Sequence, residues 1–333
     1  MRVFRLSLST VVLLAMASCG NDIDVADAAL EQANASLLEL NLSTDIQAQL
    51  AETRALQSSG NLQLSGNFVT GKSVDVFIVD QGSSNKTTYG TANNKTTYTT
   101  GALGALTKTG DPYYWPKNGA MVDIYAFYPS ISGITDRSSS TGVDFTVQQD
   151  QSGDTGYQNS DYMYATASPS SHAATVPLTF GHKLHKINFK LVPGNGFSYT
   201  DLSGAEVYIL AKKTTTITPS TGVASTASGT AATSVTDATN TPIKALTVQS
   251  SASAEAHVSG TCIIPPQTVS ASTKFIGVKL ASGVLYYTTA AATTFTTNQQ
   301  TTYTITVNNT SLDVTATISA WSTNTAVDGT ATF

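Results

Sequence analysis

The sequence predicts an all-β protein built as two β-sandwiches in tandem. Three observations carry this. Threonine is about one residue in six and charged residues are only 12%, where soluble domains usually carry roughly 25%. Thr, together with 14 Tyr, suits a pleated, half-buried surface. Short apolar or alternating runs, each bounded by Gly, Pro, Asn or Ser, recur along the chain with almost no helical period. A length of 333 residues suffices for about two such domains.

The first segment is read as an export signal. Arg2 and Arg5 form a basic start, and Leu6 to Ala17 is apolar but shorter than the ~20 residues of a membrane span. It runs into Met16-Ala17-Ser18-Cys19, which resembles a bacterial lipobox. That predicts a signal peptide over 1–18, cleavage before Cys19 and acyl chains (a palmitate-type modification) on its sulfur. Several chains, at about 0.8 kcal/mol per buried methylene, hold a protein on a membrane.

An acidic tether follows, with Asp22, Asp24, Asp27 and Glu31. Leu38, Leu40 and Leu42 then alternate with Glu39, Asn41 and Ser43, a first strand. Ala48 to Gln57 is polar and irregular. Val74 to Val79 is a core strand, 81–101 a polar loop or long hairpin, and Met121 to Tyr128 a strand closed by Pro129. Residues 130–160 read as loop. Asp161 to Ala165 and Val176 to Phe180 are short strands. Ile187, Phe189 and Leu191 alternate with Lys186, Asn188 and Lys190, which predicts one buried face and one wet face. Residues 214–242, nearly all Thr, Ser, Ala and Gly, predict a loop that buries little. Ahead of that loop Glu206 to Ala211 is a strand, and after it strands resume at 256–264, 275–280, 283–288, 302–307 and 312–318. In the last two, Tyr303, Ile305 and Val307, then Leu312, Val314, Ala316 and Ile318, are expected to face inward. The expected division is 19–54 (tether and first strand), 55–183 (first sandwich) and 184–333 (second sandwich).

Most chemistry is disfavoured. A net charge of −5 argues against a nucleic-acid partner. With Cys19 acylated, Cys262 has no intrachain partner and reads as a buried, inert thiol. His172, His182, His185 and His257 meet no Cys or acidic cluster at ligand spacing. Asp150, Asp154 and Asp161 do not match a calcium loop. No P-loop, dinucleotide fingerprint or nucleophile elbow occurs. No catalytic residue, metal or cofactor is expected. Tyr113, Tyr114 and Trp115 read as core at a strand start rather than as a sugar platform.

Six segments in order then resemble the fimbrillin-like surface lipoproteins of Bacteroidota, the type V pilin superfamily. They are Asn67 to Ile78, Val122 to Pro129, Asp161 to Ala165, Leu178 to Leu184, Asp201 to Ala205, and Tyr303 to Trp321. The resemblance implies two transthyretin-like Greek-key β-sandwiches and a place at the outer membrane or in a fimbria. It also implies assembly with other subunits by β-strand addition after an arginine-specific protease cuts behind the first strand. Thr53-Arg54-Ala55 sits where that cut would fall, so Arg54 and Ala55 are the candidate processing site. Independently, Arg54 is the only Lys or Arg from residue 20 to residue 71, in the kind of polar stretch where nicking is tolerated. Ala326 to Phe333 is a candidate donor strand. The alternative is a surface lipoprotein that is never polymerised and binds a glycan or host protein.

Overall fold

In the computed structural model, residues 38–46, 68–83, 95–249 and 258–321 are described. From Leu38 onward they belong to one compact unit. Its architecture follows from two strands buried on both faces. These are β2 (Ser73–Asp80), preceded in the chain by β1 (Asn41–Ile46), and β5 (Val122–Tyr128), preceded by β3 (Lys95–Thr100) and β4 (Ala105–Lys108). Their continuous apolar runs suit a strand with no wet side. Val74, Val76 and Ile78 with Ile124 and Ala126 face a first core, while Phe77 and Phe127 on the opposite face join a second.

The first core lies inside a closed barrel. Beyond β6 (Val143–Thr146) and helix α1 (Asp154–Ser160), the chain adds β7 (Met163–Ala167) and β8 (Thr175–His182). The staves run β1-β4-β3-β2-β5-β7-β8. Closure is a parallel pairing of β1 with β8, Asn41 opposite Thr175 through Ile46 opposite Phe180. The expected first sandwich is thus a sheet that returns on itself, which leaves no open edge.

The second core lies between two sheets. Next come β9 (His185–Pro193), β10 (Glu206–Ile209), β11 (Thr214–Thr218), β12 (Val223–Ala224), β13 (Ile243–Lys244) and β14 (Leu246–Gln249). The chain ends its described course with β15 (Val258–Ile264), β16 (Gln267–Val269), β17 (Lys274–Leu280), β18 (Gly283–Thr288), β19 (Thr293–Phe295), β20 (Gln299–Val307) and β21 (Leu312–Ala320). One sheet is β14-β15-β9-β20-β21 and another β13-β10-β17-β18. Ile187, Phe189, Leu191, Val207, Ile209, Phe275, Tyr303 and Ile305 share their core.

Several segments behave differently from the sequence pattern. Residues 214–242 are packed, not loose. β11 pairs with β6, Thr214 opposite Thr146 through Ile217 opposite Val143. Thr215 and Ile217 are fully buried, and Ala224, Ala227 and Ala232 nearly so. A Thr can be buried when its hydroxyl is satisfied, and Thr215 Oγ1 donates to the Ser225 carbonyl at 2.6 Å. The polar stretch 81–101 ends in β3, whose Tyr98 and Thr100 turn inward. The loop 130–160 contains β6 and α1, and Phe145, Val147 and Tyr157 pack in the second core. Gln151, fully buried, exchanges two 2.8 Å bonds with the Ile263 backbone. It continues the β15 edge where pairing with β14 stops at Thr261.

Candidate assembly site

The geometry centres on β1. Leu40, Leu42 and Thr44 point inward and are buried, while Asn41 and Asp45 are exposed. Leu38, expected to share their face, is 40% exposed. Besides the six pairs with β8, β1 meets β4 at Leu42 opposite Leu106 and Ser43 opposite Ala105. Ahead of the strand, Leu40 N–H donates to the Tyr113 carbonyl at 2.8 Å, and Trp115 N–H donates to that of Leu38 at 3.0 Å. Thr44 Oγ1 donates to the Gly104 carbonyl at 3.1 Å. Full burial of a leucine is worth about 1.5–3 kcal/mol. Withdrawing β1 therefore exposes an apolar groove walled by Leu106, Val176, Leu178 and Phe180, flanked by the unpaired backbones of β4 and β8.

The remaining sequence candidates are structural. Trp115 is 3% exposed, donates Nε1–H to the Ala173 carbonyl at 2.8 Å, and stacks on His172 with centroids 4.5 Å apart. It offers no free face to a sugar. His182 and His185 are both buried. His182 Nδ1 lies 2.8 Å from Asp161 Oδ1, and its ring stacks on Trp321 at 3.9 Å. Burial brings the His185 imidazole down to about 4, so it is neutral at pH 7. The bonding network then makes Nδ1–H the donor to the Thr296 carbonyl and Nε2 the acceptor from Thr301 Oγ1, each at 2.9 Å. Cys262 is fully buried, and desolvation pushes its thiol up. Asp150 is spent on Ser152. Among the described residues no three His, Cys, Asp or Glu are placed to hold a metal, and no helix is long and apolar enough to cross a membrane. Cys19, Arg54, Ala55, His257 and the 326–333 tail lie outside the described residues.

Three buried polar groups escaped the sequence reading. Asp75 accepts four bonds, from Lys95 Nζ at 3.2 Å, Thr97 Oγ1 at 3.0 Å, Ser130 Oγ at 2.8 Å and Ile131 N–H at 2.8 Å. Lys186, expected on a wet face, is fully buried. Arg137 is 8% exposed. Alternation tells which way a side chain points, not whether another segment covers it.

A model of fimbrillin-like proteins matches residues 53–321. The chain belongs to this fimbrillin-like family. Membership points to a place at the cell surface as a fimbrial subunit. Two solved structures share the fold. A candidate cell adhesion protein of Bacteroides ovatus aligns with a TM-score of 0.61 at 14% identity, over 86% of this chain and 98% of that one. Another from Bacteroides uniformis gives 0.56 at 19% identity, over 84% and 99%. No curated protein matches the sequence.

Proposed function

We propose that this fimbrillin-like protein is a structural or adhesive subunit of a surface fimbria, exported as a lipoprotein through Cys19 and matured by a cut after Arg54. Release of the segment ahead of the cut opens the barrel, and a strand of another subunit takes the place of β1. The carrying observation is that β1 closes the barrel by a parallel pairing, all other staves being joined antiparallel. The Arg54 stretch lies between β1 and β2 in the chain. An open groove with unpaired N–H and C=O groups on both sides takes an extended strand, with backbone bonds for affinity and alternate side chains for register.

Limited trypsin digestion of the lipid-free protein tests this. The first cut is expected after Arg54, with the two cores otherwise surviving. The nicked protein should then exchange its own β1 for an added peptide of residues 38–46, and Arg54→Gln should do neither. Earlier cuts at Lys or Arg in the body would refute the maturation step. A single band of mature length on surface blots, without heat-sensitive ladders, would favour a tethered monomer.

A further inference from the structure

β1 is held unevenly by its two neighbours. With β8 it pairs along its whole length, Asn41 opposite Thr175 through Ile46 opposite Phe180. With β4 it pairs at two positions only, Leu42 opposite Leu106 and Ser43 opposite Ala105. Continued by two residues, that register would set Leu40 opposite Lys108. Instead the chain ahead of β1 veers away, and Leu40 N–H donates to the Tyr113 carbonyl at 2.8 Å. Thr107 and Lys108 of β4 are left paired to Thr99 and Tyr98 of β3 and to no residue of β1.

The angle between the two strands holds a cavity of about 290 Å³. Leu40, Tyr98, Leu106 and Tyr113 give it apolar walls, and the exposed Glu39 and Thr107 open it to solvent. The backbone of Lys108 faces this gap. Gly101 N–H donates to the Ala105 carbonyl at 2.7 Å, so Ala105 and Thr107 turn their backbone groups to β3. Backbone groups alternate in direction along a strand, which turns those of Leu106 and Lys108 toward β1. Leu106 meets Leu42 there. Among the described residues no backbone bond reaches Lys108 from that side.

We propose that this gap is where an extended strand from a second copy of this chain first docks, while β1 is still in place. The incoming strand pairs with the free backbone edge of Lys108 and sets an apolar side chain in the cavity. It then displaces β1 from Leu106 and Ala105 and goes on along β8. Full withdrawal of β1 first exposes Leu40, Leu42 and both flanking ladders with nothing gained, whereas entry here forms one contact as each other breaks. The β8 side offers no such opening, since every position of β1 is paired there. This rests on the exchange reading above and names its route.

The test follows loss of the segment ahead of the cut from the nicked, lipid-free protein at rising concentrations of the peptide of residues 38–46. The rate is expected to rise in proportion to the peptide. Lys108→Pro removes only the outward N–H, a change an edge strand tolerates. It should slow exchange about fivefold, as loss of one backbone hydrogen bond does, while Lys108→Ala, which keeps the N–H, stays within about twofold. One rate at every peptide concentration would overturn the proposal, because β1 then leaves before anything enters. Equal rates in Lys108→Pro and the wild type would overturn it as well. The wild-type series decides even where Lys108→Pro fails to fold. A nicked protein that exchanges nothing at any concentration refutes the exchange reading itself, and this route with it.

Discussion

Lys186 makes the stability of this protein depend on alkaline pH. It sits on β9, fully buried, and burial brings its ammonium down to about 7, with the Asp161 carboxylate opposing that shift. An unfolded lysine titrates near 10.4. Between about 7 and 10.4 the unfolded chain therefore holds a proton that the folded chain has lost, so stability rises with pH across that window. The penalty is absent above the window, grows as pH falls through it, and is constant below about 7. Each pH unit is worth about 1.4 kcal/mol, so pH 7 to 9.5 adds up to about 3 kcal/mol. For a chain of this size that is roughly 5–10 °C in Tm. Above about pH 10 the unfolded tyrosines ionise ahead of the buried Tyr128, Tyr157 and Tyr303, which pulls the other way. Urea melts at pH 7, 8, 9 and 9.5 measure the slope. Lys186→Met should flatten it whatever it does to stability at pH 7. A flat wild-type profile, or the same slope in both proteins, would refute the reasoning.

Two further outcomes follow from named contacts. Asp75→Asn removes the charge that holds Lys95 and turns an amide N–H toward groups that donate to it, so denaturant melts should show a loss of about 3 kcal/mol. A loss under about 1 kcal/mol would mean that solvent reaches Lys95 in its place. Phe189→Ala and Ile305→Ala, both core positions, should cost about 2–5 kcal/mol each, while the exposed Thr304→Ala should cost under about 1. Equal small losses at all three would show that the inward register of β9 and β20 is misplaced.

The strands legible in the sequence were those with large apolar side chains. Val74 to Val79, Val122 to Tyr128 and the alternating Tyr303, Ile305 and Val307 fall where their patterns put them. Strands of small residues were not legible. β3 carries Tyr98 as its one large apolar side chain, and β11 carries Ile217. Each is held by pairing to a distant segment that no local pattern reveals. The last strand errs the other way. Leu312 is buried, but Val314 is half-buried and Ala316 and Ile318 are exposed, Ile318 by 54%. β21 is an edge strand of its sheet, and its alternation alone could not say that its inner half lacks a cover. For the candidate site, the alternation put Leu40 and Leu42 on the inward face, but the strand runs Asn41–Ile46 rather than from Leu38 to Ser43, and Leu38 is exposed. Its partner β8, paired 134 residues further along, could not be read from composition.

The arrangement of the two cores bears on whether loss of β1 is survivable. β2 and β5 belong to both cores, so their positions are fixed from two sides. Phe77 and Phe127 pack edge-to-face at 5.8 Å on the second-core side, and Asp75 ties β2 to Ser130 and Ile131 beyond β5. β1 contributes Leu42, and Leu40 just ahead of it, to the barrel core alone. Its removal costs burial and pairing in the barrel while the wall shared with the second core keeps its own contacts. A groove opened in this way is bounded by β4 and β8 and backed by a wall that does not depend on the missing strand. That is the condition under which a strand of matching alternation can enter from another chain without the acceptor first unfolding.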